Sequence, residues 1–280
     1  MINRFFNKPI SIALVGCMTI AMLLALVIPV KAITWGEADT DNTYANVGAI
    51  VVDLTDREPL ELCSGTLIAP TVFLTAGHCT AIMDELVAVG RLSLETTRIS
   101  FSALNILDSN TWLEVTGWDT HPQYGIIGPT SNYYDVGVVL LAQPVDLPLA
   151  MLPELGFLDE LRSEGVLRDG PDAADFLVVG YGQTLTWPPP ENLNNGSGRW
   201  YAYSEFRALT FPQIMLNQNL NLDNGGACFG DSGGPVFFEQ HGKLWLVGIT
   251  SMGDAWCISA SFKYRTDISD TLDFLAPYLR

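Results

Sequence analysis

The sequence predicts an all-β fold, and three observations carry that expectation. Stretches rich in Val, Ile, Thr and aromatic residues, among them "NVGAIVVDL", "FLVVGYG" and "PVFFEQHGKLWLVGITS", are divided by Gly, Pro and Asn turns. Apolar residues make up 48% of the chain and charged residues only 16%, a balance that argues against disorder. With 280 residues the chain can hold one large domain or two small ones around a sizeable core.

The first 32 residues stand apart. Arg4 and Lys8 give a basic start, residues 10–30 form an apolar run without charge, and "VKA" at 30–32 offers short side chains where a signal peptidase reads. We expect a secretory signal over 1–32, cleaved after Ala32, and a secreted mature chain. The run is also long enough for a membrane anchor, and "LVGC" at 14–17 resembles a lipoprotein signal, although the apolar residues continue well past Cys17. Removing the segment takes away Arg4, Lys8 and Lys31 but no acid, which moves the formal charge from −17 to −20. An exported chain this acidic repels nucleic acid and anionic membranes, so neither is an expected partner of the mature form.

Five cysteines become four once Cys17 leaves with the signal. An even number in an exported chain suggests two disulfides, and the sequence-local pairs are Cys63 with Cys79 and Cys228 with Cys257. Neither CxxC spacing nor histidine clustering suggests a metal site.

Along the mature chain, "APTVFLTAGHC" is a run of β-formers that delivers His78 at a turn, where Cys79 can pin the backbone covalently. The other two histidines sit in less directed settings: His121 precedes Pro122 in a loop-like stretch, and His241 lies in the hairpin-like "EQHGK". Asp135 opens the apolar strand of "NYYDVGVVLLAQPV" without a nearby cation, and a carboxylate entering a core there needs strong donors such as an imidazole N–H. Ser232 sits among small residues in "CFGDSGGPV". A serine hydroxyl becomes a useful nucleophile only beside a base that a third group holds in place, and His78 and Asp135 can fill those two roles.

"TAGHC", "YDVGVVLL" and "GDSGGP", in that order, resemble the three signature segments of the chymotrypsin and trypsin family of serine proteases, over essentially the whole mature chain. The resemblance implies two six-stranded antiparallel β-barrels, over 33–155 and 156–280, with a C-terminal α-helix in "SDTLDFLAPYLR" and Ser269 as its N-cap. It implies a triad of His78, Asp135 and Ser232 in the cleft between the barrels, and an oxyanion hole from the backbone N–H groups of Gly230 and Ser232. The connection between barrels is expected within 153–172. No cofactor is implied, since the triad needs no metal; the fold has room for a structural calcium, for which the sequence assigns no ligands.

The resemblance also implies an activation pair. A freed amino terminus folds inward to pair with the Asp before the nucleophile, here Asp231, and Ile33 in "ITWGEAD" follows the signal directly. Signal removal would itself create the activating ammonium, unless cleavage falls elsewhere.

Substrate is expected to lie antiparallel to Ser251, Met252 and Gly253, with Ser251 close enough to donate to Asp135. Six residues before the nucleophile, where trypsin-like members carry an Asp, this chain has Gly226, so an Arg or Lys preference has no obvious anchor. Lys263 falls near the pocket wall and is read as pointing outward, as exposed lysines do, which leaves small or apolar residues as the expected preference. The "TLTWPPPENLNNGSGRWYAY" segment reads as a surface loop near the cleft, with an N-x-S pattern at Asn195.

The function implied is a secreted, monomeric serine endopeptidase acting on protein or peptide substrates. The alternatives are a catalytically silent homologue used for binding, and an esterase using the same acyl-enzyme chemistry.

Overall fold

The computed structural model describes residues 33–126, 133–183, 198–219 and 224–279. The expected signal segment, Asn195 and most of the proline-rich loop lie outside the described residues.

Two closed six-stranded antiparallel barrels make up the fold, as the family resemblance implies. The first is built from β2 (Val47–Val52), β3 (Leu60–Ala69), β4 (Val72–Thr75), β5 (Thr97–Ser100), β6 (Trp112–Thr120) and β7 (Gly137–Leu141), closed in the order β2-β3-β4-β7-β6-β5. The second contains β8 (Asp175–Gly180), β9 (Trp200–Leu209), β10 (Gln213–Asn217), β11 (Pro235–Gln240), β12 (Lys243–Gly253) and β13 (Ala260–Arg265). It closes where β8 pairs with β9, from Asp175 opposite Glu205 to Gly180 opposite Trp200. A short β1 (Glu37–Ala38) adds to β9 at Tyr201 and Trp200 and ties the N-terminal segment to this second barrel.

Period-two patterning explains the packing. Along β8, Phe176 and Val178 enter the interior cluster of the second barrel, whereas Leu177 and Val179 join the cluster that runs through the first barrel and the face between the two. A strand buried on both faces needs apolar residues at successive positions, which is why "FLVV" reads as a continuous run. The second cluster also takes Ile33 from the N-terminal segment and Leu158 and Leu161 from a helix.

That helix, α2 (Phe157–Ser163), occupies the connection between barrels, where the sequence reading placed only a polar linker. The helix α1 (Gly77–Ala88) follows β4 directly, so His78 stands in its first turn. At the C-terminus α3 (Ser269–Leu275) forms as expected, but its N-cap is Ile268 and no side chain caps it. Ser269 is the first helical residue instead, because the helix's first hydrogen bond runs from the Leu272 N–H to the Ile268 carbonyl at 3.0 Å.

A buried ion pair joins the parts. Arg199, fully buried ahead of β9, donates to Asp39 Oδ2 at 2.7 Å, to the Val47 carbonyl at 2.8 Å and to the Tyr181 hydroxyl at 3.1 Å. Its Nη2 also meets Asn42 Oδ1. A guanidinium stripped of water is tolerable only with its fork this fully occupied.

Candidate active site

Three loops from the two barrels converge on one cleft. Asp135 lies two residues ahead of β7 and is 4% exposed. Its carboxylate accepts three hydrogen bonds: from the His78 backbone N–H at 2.8 Å, from His78 Nδ1 at 3.0–3.1 Å and from Ser251 Oγ at 2.5 Å. An acceptor-only carboxylate against Nδ1 puts the neutral ring's proton on that nitrogen and leaves the lone pair on Nε2. The backbone bond and the ring bond come from the same residue, so the start of α1 and the imidazole are aimed together. The disulfide Cys63–Cys79 ties β3 to α1 beside this histidine. Its sulfurs lie within 4.8 Å of a His78 ring nitrogen, but a disulfide leaves no thiolate to hold a metal.

Ser232 arrives from the second barrel in the turn between Asp231 and Gly234, closed by Gly234 N–H donating to the Asp231 carbonyl at 2.9 Å. Ser64 N–H on β3 donates to the Ser232 carbonyl at 2.8 Å, which seats this turn against the first barrel. Two glycines make that approach possible. Gly230 has φ +97°, and Gly233 has φ +81° with Thr75 Oγ1 only 2.0 Å from where a Cβ would stand. Neither position can carry a side chain without moving the turn.

Asp231 is fully buried and accepts from Gly182 N–H and Cys228 N–H, both at 2.8 Å. Burial pushes its carboxyl up to about 6, against the pull of those two N–H groups and of Lys263. Glu61 on β3, missed in the sequence, stands beside the same turn, with its Oε1 3.5 Å from Ser64 Oγ. Loss of hydration and the neighbouring Asp231 hold the Glu61 carboxyl well above the usual range. The signal available for it was an acid inside a strand two residues before a disulfide cysteine.

Lys263 corrects the sequence reading. It does not point outward and does not line the cleft: it is fully buried, with Nζ 3.1 Å from Thr250 Oγ1. The physical reason is that β13 is covered on both faces, so Ser261, Lys263 and Arg265 are buried on one side and Tyr264 on the other. Burial lowers the Lys263 ammonium to about 7, and Asp231 opposes that shift. Linkage then gives a sign. A lysine whose folded value lies below its ordinary 10.5 costs stability that is absent above that value and grows as pH falls towards 7. The melting temperature of the wild type minus that of Lys263→Met should therefore decline from pH 10.5 to about 7 and then level off, as thermal melts across that range would register.

The cleft beside Ser232 has a volume of about 330 Å³, and Ser251, Met252 and Gly253 line it together with Ala227, Cys228 and Cys257. The last two form the second disulfide. Pairing of β12 with β11 stops at Ile249, and Gly233 and Gly234 take the backbone of Thr250, so the 251–253 edge is open on that side. Gly226 is bridged to Thr34, and the space its Cβ would need holds the Gln218 side chain, with Nε2 at 2.2 Å. Gln218 is another residue the sequence reading passed over. Ile33 is fully buried with φ +54°.

Among the described residues no helix is long and apolar enough to cross a membrane. The Trypsin family model matches residues 38–275. The chain is 27% identical to a trypsin of Saccharopolyspora erythraea over 72% of its own length and 80% of that protein. It is 25% identical to the serine protease Hayan of Drosophila melanogaster, over 86% of this chain and 38% of that one. A venom serine protease of Bombus ignitus is 26% identical over 80% of this chain and 61% of its own. The chain thus spans less than two thirds of the two insect relatives.

Proposed function

From its membership of the trypsin family of serine proteases, we propose that this chain is a secreted endopeptidase that hydrolyses peptide bonds through an acyl-enzyme on Ser232. The observation that carries the reading is the carboxylate of Asp135 held by three donors, two of them from His78. Such an arrangement serves a ring that must become charged and neutral again within each turnover.

In this reading Ser232 Oγ attacks the scissile carbonyl as its proton passes to His78 Nε2. The imidazolium is stabilised by Asp135, and the carbonyl oxygen becomes an oxyanion facing the Gly230 and Ser232 N–H groups. The protonated His78 then gives its proton to the leaving amine as the C–N bond breaks. Water, deprotonated by the same Nε2, opens the ester and returns Ser232 to its starting state. Substrate main chain adds to the open 251–253 edge, which favours peptides over simple esters.

Residues 1–32 serve as the export signal, and Ile33 becomes the mature terminus whose ammonium pairs with Asp231. The backbone of Ile33 supports this. A β-branched residue at φ +54° is strained by about 1–3 kcal/mol. Cutting the peptide bond before Ile33 abolishes that torsion, so the cleaved chain can hold Ile33 in the second core without the strain. Amino-terminal sequencing of the secreted protein should begin at Ile33, and a variant with an uncleavable extension there should lose at least about a hundredfold in kcat/KM. Full activity from the extended chain would remove the activation pair from the mechanism.

The experiment that tests the function is labelling of the folded, secreted protein with a fluorophosphonate, mapped by mass spectrometry. An adduct on Ser232 is expected. Folded protein that begins at Ile33 and takes up no label would instead be a silent binding homologue.

A further inference from the structure

One residue of the first barrel touches both halves of the proposed oxyanion hole. Ser64, fully buried on β3, donates its backbone N–H to the Ser232 carbonyl at 2.8 Å and its hydroxyl to the Gly230 carbonyl at 3.1 Å. Its own carbonyl accepts from Thr75 Oγ1 at 2.9 Å, so Ser64 is itself held in place. Among the described residues the N–H groups of Gly230 and Ser232 donate to nothing, which leaves both able to meet an oxyanion. The peptide between Gly230 and Asp231 is pinned at two points, its carbonyl by Ser64 and its N–H by the Cys228 carbonyl at 3.1 Å. Gly230, at φ +97° and without a Cβ, rotates more freely than its neighbours, and the Ser64 hydroxyl is what restrains it on the carbonyl side.

That hydroxyl has one proton for two acceptors. Its oxygen accepts from the Tyr181 N–H at 3.1 Å, and Glu61 Oε1 stands 3.5 Å away as the rival of the Gly230 carbonyl. Glu61 also lies against the turn, since a Cβ on Gly230 would come 3.4 Å from the same Oε1. A carboxylate accepts more strongly than a peptide carbonyl, so ionised Glu61 draws the proton away and neutral Glu61 does not. The charged group facing Glu61 from the turn is Asp231, which Lys263 in turn faces from β13. Just after β8, the Tyr181 phenol also faces Glu61; burial pushes it above its usual range, and it is bonded to the Val47 carbonyl and to Arg199. Burial first and Asp231 second raise the Glu61 carboxyl, so its neutral form persists to higher pH than that of an exposed glutamate.

We propose that Ser64 is a positioning residue for the oxyanion hole of this enzyme: neutral Glu61 leaves the Ser64 hydroxyl on the Gly230 carbonyl, and ionised Glu61 takes that proton and loosens the turn. Relative to a chain whose residue 61 is always neutral, activity then falls as pH rises. The proposal rests on the protease reading given above.

The test compares the mature wild type with Glu61→Gln, Ser64→Ala and the double variant on one fluorogenic peptide, from about pH 6 to about pH 9.5. Gln cannot ionise, and the titrations of His78 and of the amino terminus are common to both chains. The ratio of kcat/KM in Glu61→Gln to that in the wild type therefore isolates Glu61, and it should rise at least about threefold across the range. With Ser64→Ala in both chains the rise should vanish, because the contested proton is gone, a coupling that a merely structural Glu61 would not produce. Ser64→Ala alone should lower kcat about tenfold, the size of one hydrogen bond, with KM nearly unchanged. It should weaken by the same factor a peptide aldehyde, whose carbon bonds to Ser232 Oγ and whose oxygen enters the hole. A ratio independent of pH, a rise that survives in the Ser64→Ala background, or folded Ser64→Ala with kcat within about twofold of wild type would overturn the proposal. Ser64→Cys, of similar size and a weaker donor, takes the place of Ser64→Ala if the latter does not fold. Fluorophosphonate labelling of the wild type separates the two failures. An enzyme labelled on Ser232 with a flat ratio refutes only the positioning role, whereas a folded enzyme that takes no label refutes the protease reading on which it depends.

Discussion

Ser232→Ala is expected to lower kcat by about 10⁶ while leaving the fold intact. The magnitude is that of removing the nucleophile from a serine-protease triad, where the remaining oxyanion hole and binding contacts still leave about 10³–10⁴ over water. Stability should change little because the turn is held by its backbone. The Ser232 carbonyl takes the Ser64 N–H at 2.8 Å, and the Gly233 N–H donates to the Thr250 carbonyl at 2.8 Å. Alanine keeps all of these. Steady-state turnover of a peptide substrate, read beside the melting temperature of both proteins, checks the pair of expectations. A variant that retains a tenth of the wild-type rate would move the nucleophile away from Ser232.

Asp135→Asn is expected to cost about 10⁴ in kcat at neutral pH, a loss of the size seen when this carboxylate becomes an amide in the triad. The structure supplies the reason. Asp135 accepts from His78 Nδ1, the His78 backbone N–H and Ser251 Oγ. An amide has only one oxygen, so its NH₂ must face one of these donors. If it faces the ring, Nδ1 must accept, the neutral proton moves to Nε2, and the base is in the wrong tautomer. Binding of a peptide with an uncleavable bond should be nearly unchanged, so the loss falls on kcat and not on KM. Ser251→Ala, which removes a single donor and leaves the carboxylate, should cost about tenfold, in keeping with one hydrogen bond to a charged group. A variant Asp135→Asn that turns over within tenfold of wild type would deny the carboxylate its role.

Much of the candidate site was legible because its chemistry is written in short segments. His78 follows its strand and precedes Cys79, Asp135 opens an apolar run, and Ser232 sits between glycines whose conformations exclude other residues. Each signal depends on neighbours within a few positions. The alternation of β-formers with turn residues likewise announced strands, because a pleated chain exposes its period to the sequence.

Other features were out of reach for a matching reason. Lys263 read as an exposed lysine because nothing within ten residues says that β13 is covered on both faces. Helix α2 was hidden in a segment whose polar residues outnumber the two leucines it buries, and those leucines matter only once the second barrel offers a core. The Glu61 carboxyl is raised first by burial and then by Asp231, 170 positions along the chain.

By itself, then, the sequence determined an all-β protein, the identity of the three residues proposed for catalysis, and the glycines that let the serine turn approach the first barrel. Those properties follow from residue type and local spacing. Only the tertiary structure decided that Asp135 receives Ser251 as well as His78, that Gln218 fills the space a Cβ on Gly226 would need, and that Lys263 is buried against Thr250. Closing two barrels brings strands far apart in sequence to hydrogen-bonding distance and strips their polar groups of water. Which buried groups then find partners is set by that closure and by no local pattern.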